Sequence, residues 1–561
     1  MSADDRRSRS GASRDPGVSD GGSRDGAGAP PRPAGGRRSR SEASRDPRGS
    51  DGGSRDGAGA PPRPAGGRGS RSEASRDPGV SDGGSRDGAG APPRPAGGRG
   101  SRSGASRDPG AAAPLDFTGE PRFAWRGVML DVARRFRPMP DLLRFVDLLA
   151  AHRITVLQLH LTDDQGWRFE VRAFPRLTEI GGRRSESQLG HGPESTLDGV
   201  PHEGFYTQAE LRELVGYAAA RGIRVVPEID VPGHAKAVLA AYPEFGVGEI
   251  DDVRARNAEP WTRYGINDEV LNVEDATIAF VCTVFDELCD VFDPEASGTD
   301  VVGLGGDEAQ KARWASDPRT QELMAERGLA DEHELQAWFL ARVAAHLASR
   351  GRRVIGWDEM LEGSGRAAAS DGRVPNAEPD AAVPPLPGDA VVASWRGPVG
   401  AELGARLGHD VVLCPDLWTY FDYRQSDAAD EPIPVGTVLS LADVATFDPV
   451  PADAPAWFAD RVVGVQANVW CEHLDTRDRL DYAVFPRLAA FAEVAWHGRP
   501  LDWAAFSSRL PAYLAWLDAQ GVAYRPLDGP RPDQQRPGVP GVPRSREERL
   551  AELARLTANL S

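Results

Sequence analysis

The chain has 561 residues, 40% of them hydrophobic and 27% charged, with a formal net charge of −18. So large an excess of acid argues against general nucleic-acid binding, and no uncharged apolar run is long enough to span a membrane. The averages hide two regimes, because residues 1–114 contain no Leu, Ile, Phe, Trp or Tyr while the remainder carries all thirteen Trp.

The first regime is a tandem repeat. Ser-Arg-Asp-Pro recurs at Ser13, Ser44, Ser75 and Ser106, a constant period of 31 residues. A solenoid of that period needs an apolar face on which its units stack. Ala and an occasional Val do not supply one, so residues 1–114 are expected to be a disordered low-complexity tail. The start, Met1-Ser-Ala-Asp-Asp-Arg-Arg-Ser, has no apolar h-region, and no secretory signal is expected. Cys282, Cys289, Cys414 and Cys471 show no CxxC spacing, which fits a reduced, cytoplasmic protein.

From Phe123 onward, apolar runs alternate with amphipathic segments. The first run, Trp125 to Asp131, leads to Arg134, and a helical pattern follows from Asp141 to Ala151. The second run is Ile154 to His160, followed by Asp163 and Asp164. Thr207-Gln-Ala-Glu210 has the form of a capping box and opens a helix to Ala220. The third run, Ile223 to Glu228, continues through Asp230 to His234, and a helix is expected over Asp275–Val291. The fourth is Val301-Val-Gly-Leu-Gly-Gly-Asp307-Glu308, and a helix pattern covers Glu332–Arg350. The fifth is Val354 to Glu359, which includes Trp357, the sixth Ala390 to Gly397, which includes Trp395, and the seventh Val411 to Asp422, which includes Tyr420. The eighth, Val462 to Glu472, includes Trp470, and a closing helix is expected over Leu480–Trp496. Residues 526–544 are Pro-rich and read as loop, followed by a short amphipathic helix, Arg546–Leu556.

Eight apolar runs, each followed by a helix, match a (β/α)8 TIM barrel, whose strands are near-continuously apolar because both faces are covered. We therefore expect an α/β chain in three parts: the tail 1–114, a catalytic barrel 122–510, and a C-terminal segment 511–561. Polar and aromatic residues gather at the ends of the runs, where barrels build their sites. Asp307 and Glu308 follow two glycines at such an end. Two carboxylates there can be driven to different pKa values, one kept as an acid and one ionised. Taken alone, the stretch also reads as a strand ending in a turn, with Asp307 capping the next helix.

Taken together, the strand ends resemble glycoside hydrolase family 20, the β-N-acetylhexosaminidases. The matching pieces are Met129-Leu-Asp-Val-Ala-Arg134, His160-Leu-Thr-Asp-Asp-Gln-Gly-Trp-Arg168, Glu228-Ile-Asp-Val-Pro-Gly-His234, Gly305-Gly-Asp-Glu308, Gly356-Trp-Asp-Glu359, Ser394-Trp395, Tyr420-Phe-Asp422 and Trp470-Cys-Glu472. Each is weak alone, but their order spans nearly all of residues 122–500. The resemblance implies a retaining hydrolase that releases terminal β-linked N-acetylhexosamine, with chitooligosaccharides among its possible substrates, and that needs neither cofactor nor metal. It implies attack on the anomeric carbon by the substrate's own acetamido oxygen, giving an oxazolinium, a named exception to the two-carboxylate scheme. By the same match Glu308 is the acid/base, Asp307 stays ionised beside the acetamido N–H, and Tyr420 meets the acetamido oxygen. Trp357, Trp395 and Trp470 wall the sugar. Arg134, Asp163, Asp422 and Glu472 bind hydroxyls, and His234 stands beside the site, oriented by a carboxylate such as Asp163.

Three features depart from the family pattern. Gly303 stands where members commonly have His. The repeats occupy the place of a small preceding domain. Residues 424–461 offer only Trp457 as a fourth pocket tryptophan. Two other readings remain open. One is a metal-dependent barrel hydrolase using His160, Asp163, Asp230, His234 and Asp307; the other is an inactive sugar-binding protein on the same fold.

Overall fold

A computed structural model describes residues 113–363, 382–432, 435–558 and 560. The expected disordered tail lies outside these residues, except for its last two. Ala113 is buried and its N–H donates to the carbonyl of Ala151 at 3.2 Å, so the folded unit begins slightly earlier than composition suggests. Deleting residues 1–112 is expected to leave the melting temperature and turnover unchanged, since that segment has no large apolar side chains to pack. A fall of several degrees on calorimetry would contradict this.

The barrel strands are β1 (Trp125–Asp131), β2 (Val156–His160), β3 (Arg224–Glu228), β4 (Val301–Gly305), β5 (Arg353–Trp357), β6 (Val391–Ser394), β7 (Asp410–Leu413) and β8 (Val462–Val469). Neighbours pair in chain order and in parallel, and β1 also pairs with β8, which closes the ring. Each expected run holds one strand; most are trimmed at their ends, while β5 and β7 begin one residue earlier, at Arg353 and Asp410. Every residue of β1 and β2 is buried, as expected where side chains from one strand face both the barrel interior and the outer helices. The interior also carries a chain of satisfied amides. Gln466 Nε2 donates to Gln158 Oε1 at 3.1 Å, and Gln158 Nε2 donates to Glu228 Oε2 at 2.9 Å.

The principal outer helices of the first six β/α units include α1 (Met139–Ala151), α2 (Gln208–Ala219), α3 (Asp275–Val291), α4 (Glu332–Ser349) and α5 (Pro398–Arg406). Each is placed by an apolar stripe; α1, for example, buries Leu142, Phe145, Val146, Leu148 and Leu149. The expected capping box opens α2. Thr207 Oγ1 accepts the Glu210 N–H at 3.2 Å, and the Thr207 N–H donates to Glu210 Oε2 at 2.9 Å.

The closing helix expected over Leu480–Trp496 is instead two helices, α6 (Arg477–Val484) and α7 (Arg487–His497). Pro486 has no N–H to donate and disfavours helical backbone at Phe485. The break has a use. Arg487, fully buried, donates to the carbonyls of Tyr423 at 2.9 Å and Leu439 at 3.0 Å, which pins the loop after β7. The boundary expected after residue 510 falls inside α8 (Trp503–Ala519). The Pro-rich stretch has neither helix nor strand. The short helix, α9 (Arg546–Leu556), packs against the body of the protein through buried Leu553 and Arg549. Among the described residues no helix is long and apolar enough to cross a membrane.

Candidate active site

The strand ends enclose a cavity of about 490 Å³. Arg134 reaches it from the loop after β1. Asp307 and Glu308 follow β4, Trp357 ends β5, and Trp395 follows β6. Tyr420 and Asp422 come from the loop after β7, and Trp470 and Glu472 from the loop after β8. Of the site residues singled out in the sequence, Asp163 and His234 alone do not line it.

The turn after β4 explains the two glycines. The pairing of β4 with β5 slips between Gly303 and Gly305, a bulge that re-aims the chain. Gly305 has φ of 66°, and a Cβ there would stand 1.9 Å from Asp230 Oδ1. Gly306 then donates its N–H to that same oxygen at 3.0 Å. The next bend leaves Glu308 at φ 49°, and His234 across from it at φ 48°. Both are left-handed conformations that side chains rarely adopt, and such outliers collect at functional sites.

A buried line of alternating charge runs beneath the cavity. Arg134 Nη2 is 2.7 Å from Asp163 Oδ2, and its Nε donates to Gln165 Oε1 at 2.9 Å. His160 bridges Asp163 Oδ2 at 2.8 Å and Glu228 Oε2 at 3.1 Å. Glu228 in turn accepts the Trp357 indole N–H at 3.0 Å. His234 Nδ1 lies 3.3 Å from Asp163 Oδ1, while its Nε2 lies 3.5 Å from Asp307 Oδ2 and 3.7 Å from Glu308 Oε2. The expected assignment of Asp163 to sugar hydroxyls is therefore corrected. Its side chain is completely buried, and its carboxylate is already engaged by one guanidinium and two imidazoles. His234 stands where it was expected, beside the site and facing Asp163, but its side chain is only 3% exposed and sits behind the two carboxyls, so it does not reach the cavity as a substrate-binding group.

These contacts separate the titrations. Burial opposes charge on both rings. It is outweighed by Glu228 and Asp163 at His160, and by Asp163 at His234, so both imidazoles are held well above their ordinary range. Burial would raise Asp307, but the His234 ring 3.5 Å away, with its charge, keeps it below the ordinary carboxylate value. Asp230 behind it is driven well above that value by burial, then by the Asp307 charge. Burial is also the chief cause at Glu308, with Asp307 adding to it and His234 opposing, and the carboxyl is pushed up to about 7. Below about pH 7 the adjacent carboxyls thus stand in opposite states, one an anion and one an acid.

The walls are aromatic. Trp395 and Tyr420 stack with centroids 6.3 Å apart and planes at 20°, and Trp357 and Trp470 are 5.8 Å apart. Trp395 donates its indole N–H to Glu359 Oε2 at 2.9 Å. At the far side Asp422 and Glu472 face each other near Arg134. Burial first, then the charge of Glu472, raises Asp422 well above the ordinary range. Its Oδ1 is buried and has no hydrogen-bond partner within the protein.

Gly303 also finds its reason. A Cβ there would stand 2.7 Å from Glu228 Cβ, so the glycine makes room for the carboxylate that holds Gln158, His160 and Trp357. Trp457 is 43% exposed and does not line the cavity. Trp167 and Arg168 are structural, since the Arg168 guanidinium donates to the carbonyls of Ala133 and Gly182. Sequence reasoning missed His191, Tyr264, Tyr423 and His473, and also Val542, Arg544, Arg549 and Glu552 from the C-terminal segment.

The groups imagined as metal ligands do converge. Donor atoms of His160, Asp163 and Asp230, and of Asp230, His234 and Asp307, lie within 4.8 Å of one another. The carboxylates there already have partners within the protein: Asp163 meets Arg134 and His160, and Asp230 accepts the Gly306 N–H, while both nitrogens of His160 face carboxylates.

Residues 123–499 match the family model described as glycosyl hydrolase family 20, catalytic domain. A beta-hexosaminidase of Porphyromonas gingivalis is 37% identical over 415 residues, which cover 73% of this chain and 48% of that protein. A beta-hexosaminidase of Vibrio furnissii is 36% identical, over 66% of this chain and 56% of that protein. The chain thus spans about half the length of these curated relatives. Among solved structures, a family 20 exo beta-N-acetylglucosaminidase of Vibrio harveyi in complex with N-acetylglucosamine is 34% identical. Its TM-score is 0.57, over 72% of this chain and 59% of that one.

Proposed function

The chain belongs to glycosyl hydrolase family 20, and from that footing we propose that it is a retaining β-N-acetylhexosaminidase acting on terminal β-linked N-acetylglucosamine or N-acetylgalactosamine, chitooligosaccharides included. The observation that carries this reading is the pair Asp307 and Glu308. They are adjacent in one pocket, one held below its ordinary pKa and the other raised to about 7. In this reading they need not face each other across the glycosidic bond, as the two carboxyls of an ordinary retaining pair must. They can serve a reaction in which neither attacks carbon.

The acetamido oxygen closes on the anomeric carbon while Glu308 gives its proton to the leaving oxygen. Glu308 then takes a proton from the water that opens the oxazolinium. Asp307 accepts the acetamido N–H and balances the charge growing on that group. The Tyr420 hydroxyl, raised well above its ordinary value chiefly by burial, remains a donor to the acetamido oxygen. Trp357, Trp395 and Trp470 exclude water and pack against the sugar and the acetyl methyl. Arg134, Asp422 and Glu472 hold hydroxyls. Asp163 and His234 set the charge beneath the two reacting carboxyls. The cytoplasmic reading is supported by the cysteines, all four of them free thiols.

Turnover of aryl β-N-acetylglucosaminide and galactosaminide across pH tests the assignment. On both, kcat/KM is expected to be level up to about pH 7 and to fall about tenfold per unit above it, because Glu308 must enter carrying its proton. No turnover of either substrate would leave a sugar-binding protein. A rate still climbing at pH 9 would remove Glu308 from the acid role.

A further inference from the structure

Part of the pocket wall comes from well beyond the barrel. Val542, Arg544, Arg549 and Glu552 line it from a strap that ends in α9. The strap is fastened along its length. The His191 N–H donates to the Pro540 carbonyl at 2.9 Å, the Arg544 N–H to the Gly436 carbonyl at 3.1 Å, and Arg396 Nη1 to the Leu556 carbonyl at 3.1 Å.

Arg549, one of the strap residues that line the pocket, is only 6% exposed. Its Nε donates to Asp416 Oδ2, and its Nη1 lies 2.8 Å from Glu552 Oε2. The same Asp416 oxygen accepts the Tyr423 hydroxyl at 2.9 Å. The Tyr423 ring meets Tyr420 edge-on at 5.7 Å. The guanidinium carbon lies 5.7 Å from the centroid of Trp395, the ring stacked on Tyr420. One side chain therefore braces both partners of the stacked wall, Trp395 directly and Tyr420 through Asp416 and Tyr423.

We propose that Arg549 is a positioning residue that sets the width of the compartment for the N-acyl group, so that the C-terminal helix takes part in substrate selection. This rests on the reading that Trp395 and Tyr420 receive the acetamido group. Asp416 is 1% exposed, and without the guanidinium its buried carboxylate keeps only the Tyr423 hydroxyl as a charge-stabilising partner. The loop carrying Tyr420 and Tyr423 then has reason to shift, and the edge of Trp395 loses the group packed against it. The compartment widens, and discrimination against longer acyl chains falls.

Aryl glucosaminides carrying N-acetyl, N-propionyl and N-butyryl groups provide the test, with melting temperature measured alongside. The wild type is expected to lose rate steeply as the chain lengthens. In Arg549→Met the ratio of kcat/KM for acetyl over butyryl is expected to fall about tenfold or more, with Arg549→Lys restoring part of it. Tyr423→Phe removes only the hydroxyl that meets Asp416; it should move the ratio the same way, and it decides the matter if the Arg549 variants do not fold. A merely structural role would lower all three substrates in proportion, and an unchanged ratio in every folded variant overturns the proposal. Failure of the wild type to turn over the acetyl substrate would instead overturn the functional reading, and this inference with it.

Discussion

Glu308→Gln is expected to slow release of an unactivated sugar alcohol by about 10²–10⁴-fold, the usual contribution of a positioned general acid. An aryl substrate with an acidic phenol should lose far less in the bond-breaking step, since its leaving group departs without a proton. The separation follows from the site. Glu308 keeps its proton up to about pH 7 because of burial and the Asp307 charge, and glutamine keeps its shape while supplying no acid. The nucleophile is untouched by this change, so a second measurement isolates it. A substrate with a 2-hydroxyl in place of the acetamido group should react slower by on the order of 10⁵-fold, the low end of the advantage of a well-oriented intramolecular nucleophile. Equal rates on the two substrates, or a sugar ester trapped on Glu308 or Asp307, would restore an ordinary nucleophilic pair.

Asp307→Asn should behave differently, with a loss of about 10²–10³-fold on every substrate whatever its leaving group. The carboxylate is held as an anion by His234, and its charge is needed only when the acetamido nitrogen becomes positive. A cyclic thiazoline that mimics the intermediate should accordingly bind this variant much more weakly than the wild type. A second signature is tied to the same charge. Asp307 helps to raise Glu308, so its neutralisation should move the alkaline limb of the pH profile to lower pH. A limb that stays in place, or a loss confined to poor leaving groups, would show that Asp307 does not carry charge during the reaction.

The barrel was legible because its strands are covered on both faces, which leaves eight apolar runs with polar residues at one end. Within the site, the residues on the cavity wall were legible from short motifs at those ends. Asp163 and His234 fall within such motifs, but their burial behind the wall depends on contacts among three separate loops, which no local pattern records. The break at Pro486 did have a local signal, outweighed by the apolar residues on either side of it. Arg549 had none, since it lies 133 residues from Asp416. Its helix could be read from the Ser545–Glu548 capping box and its apolar stripe, but neither pattern says what that helix packs against.

Glu308 and His234 both hold left-handed backbone, which costs an L side chain about 1–2 kcal/mol relative to glycine. Drift alone would favour Gly or Asn at both positions, since either would relax the turn and steady the fold. A lineage that used this pocket only to hold a sugar would have no reason to resist that drift. Exposed Arg153 holds the same backbone at φ 56° with no place in the pocket, so the strain alone marks no chemistry. Its coincidence with the paired carboxyls at Glu308 and His234 is what weighs against the reading of the chain as a binding protein that has kept the shape of an enzyme.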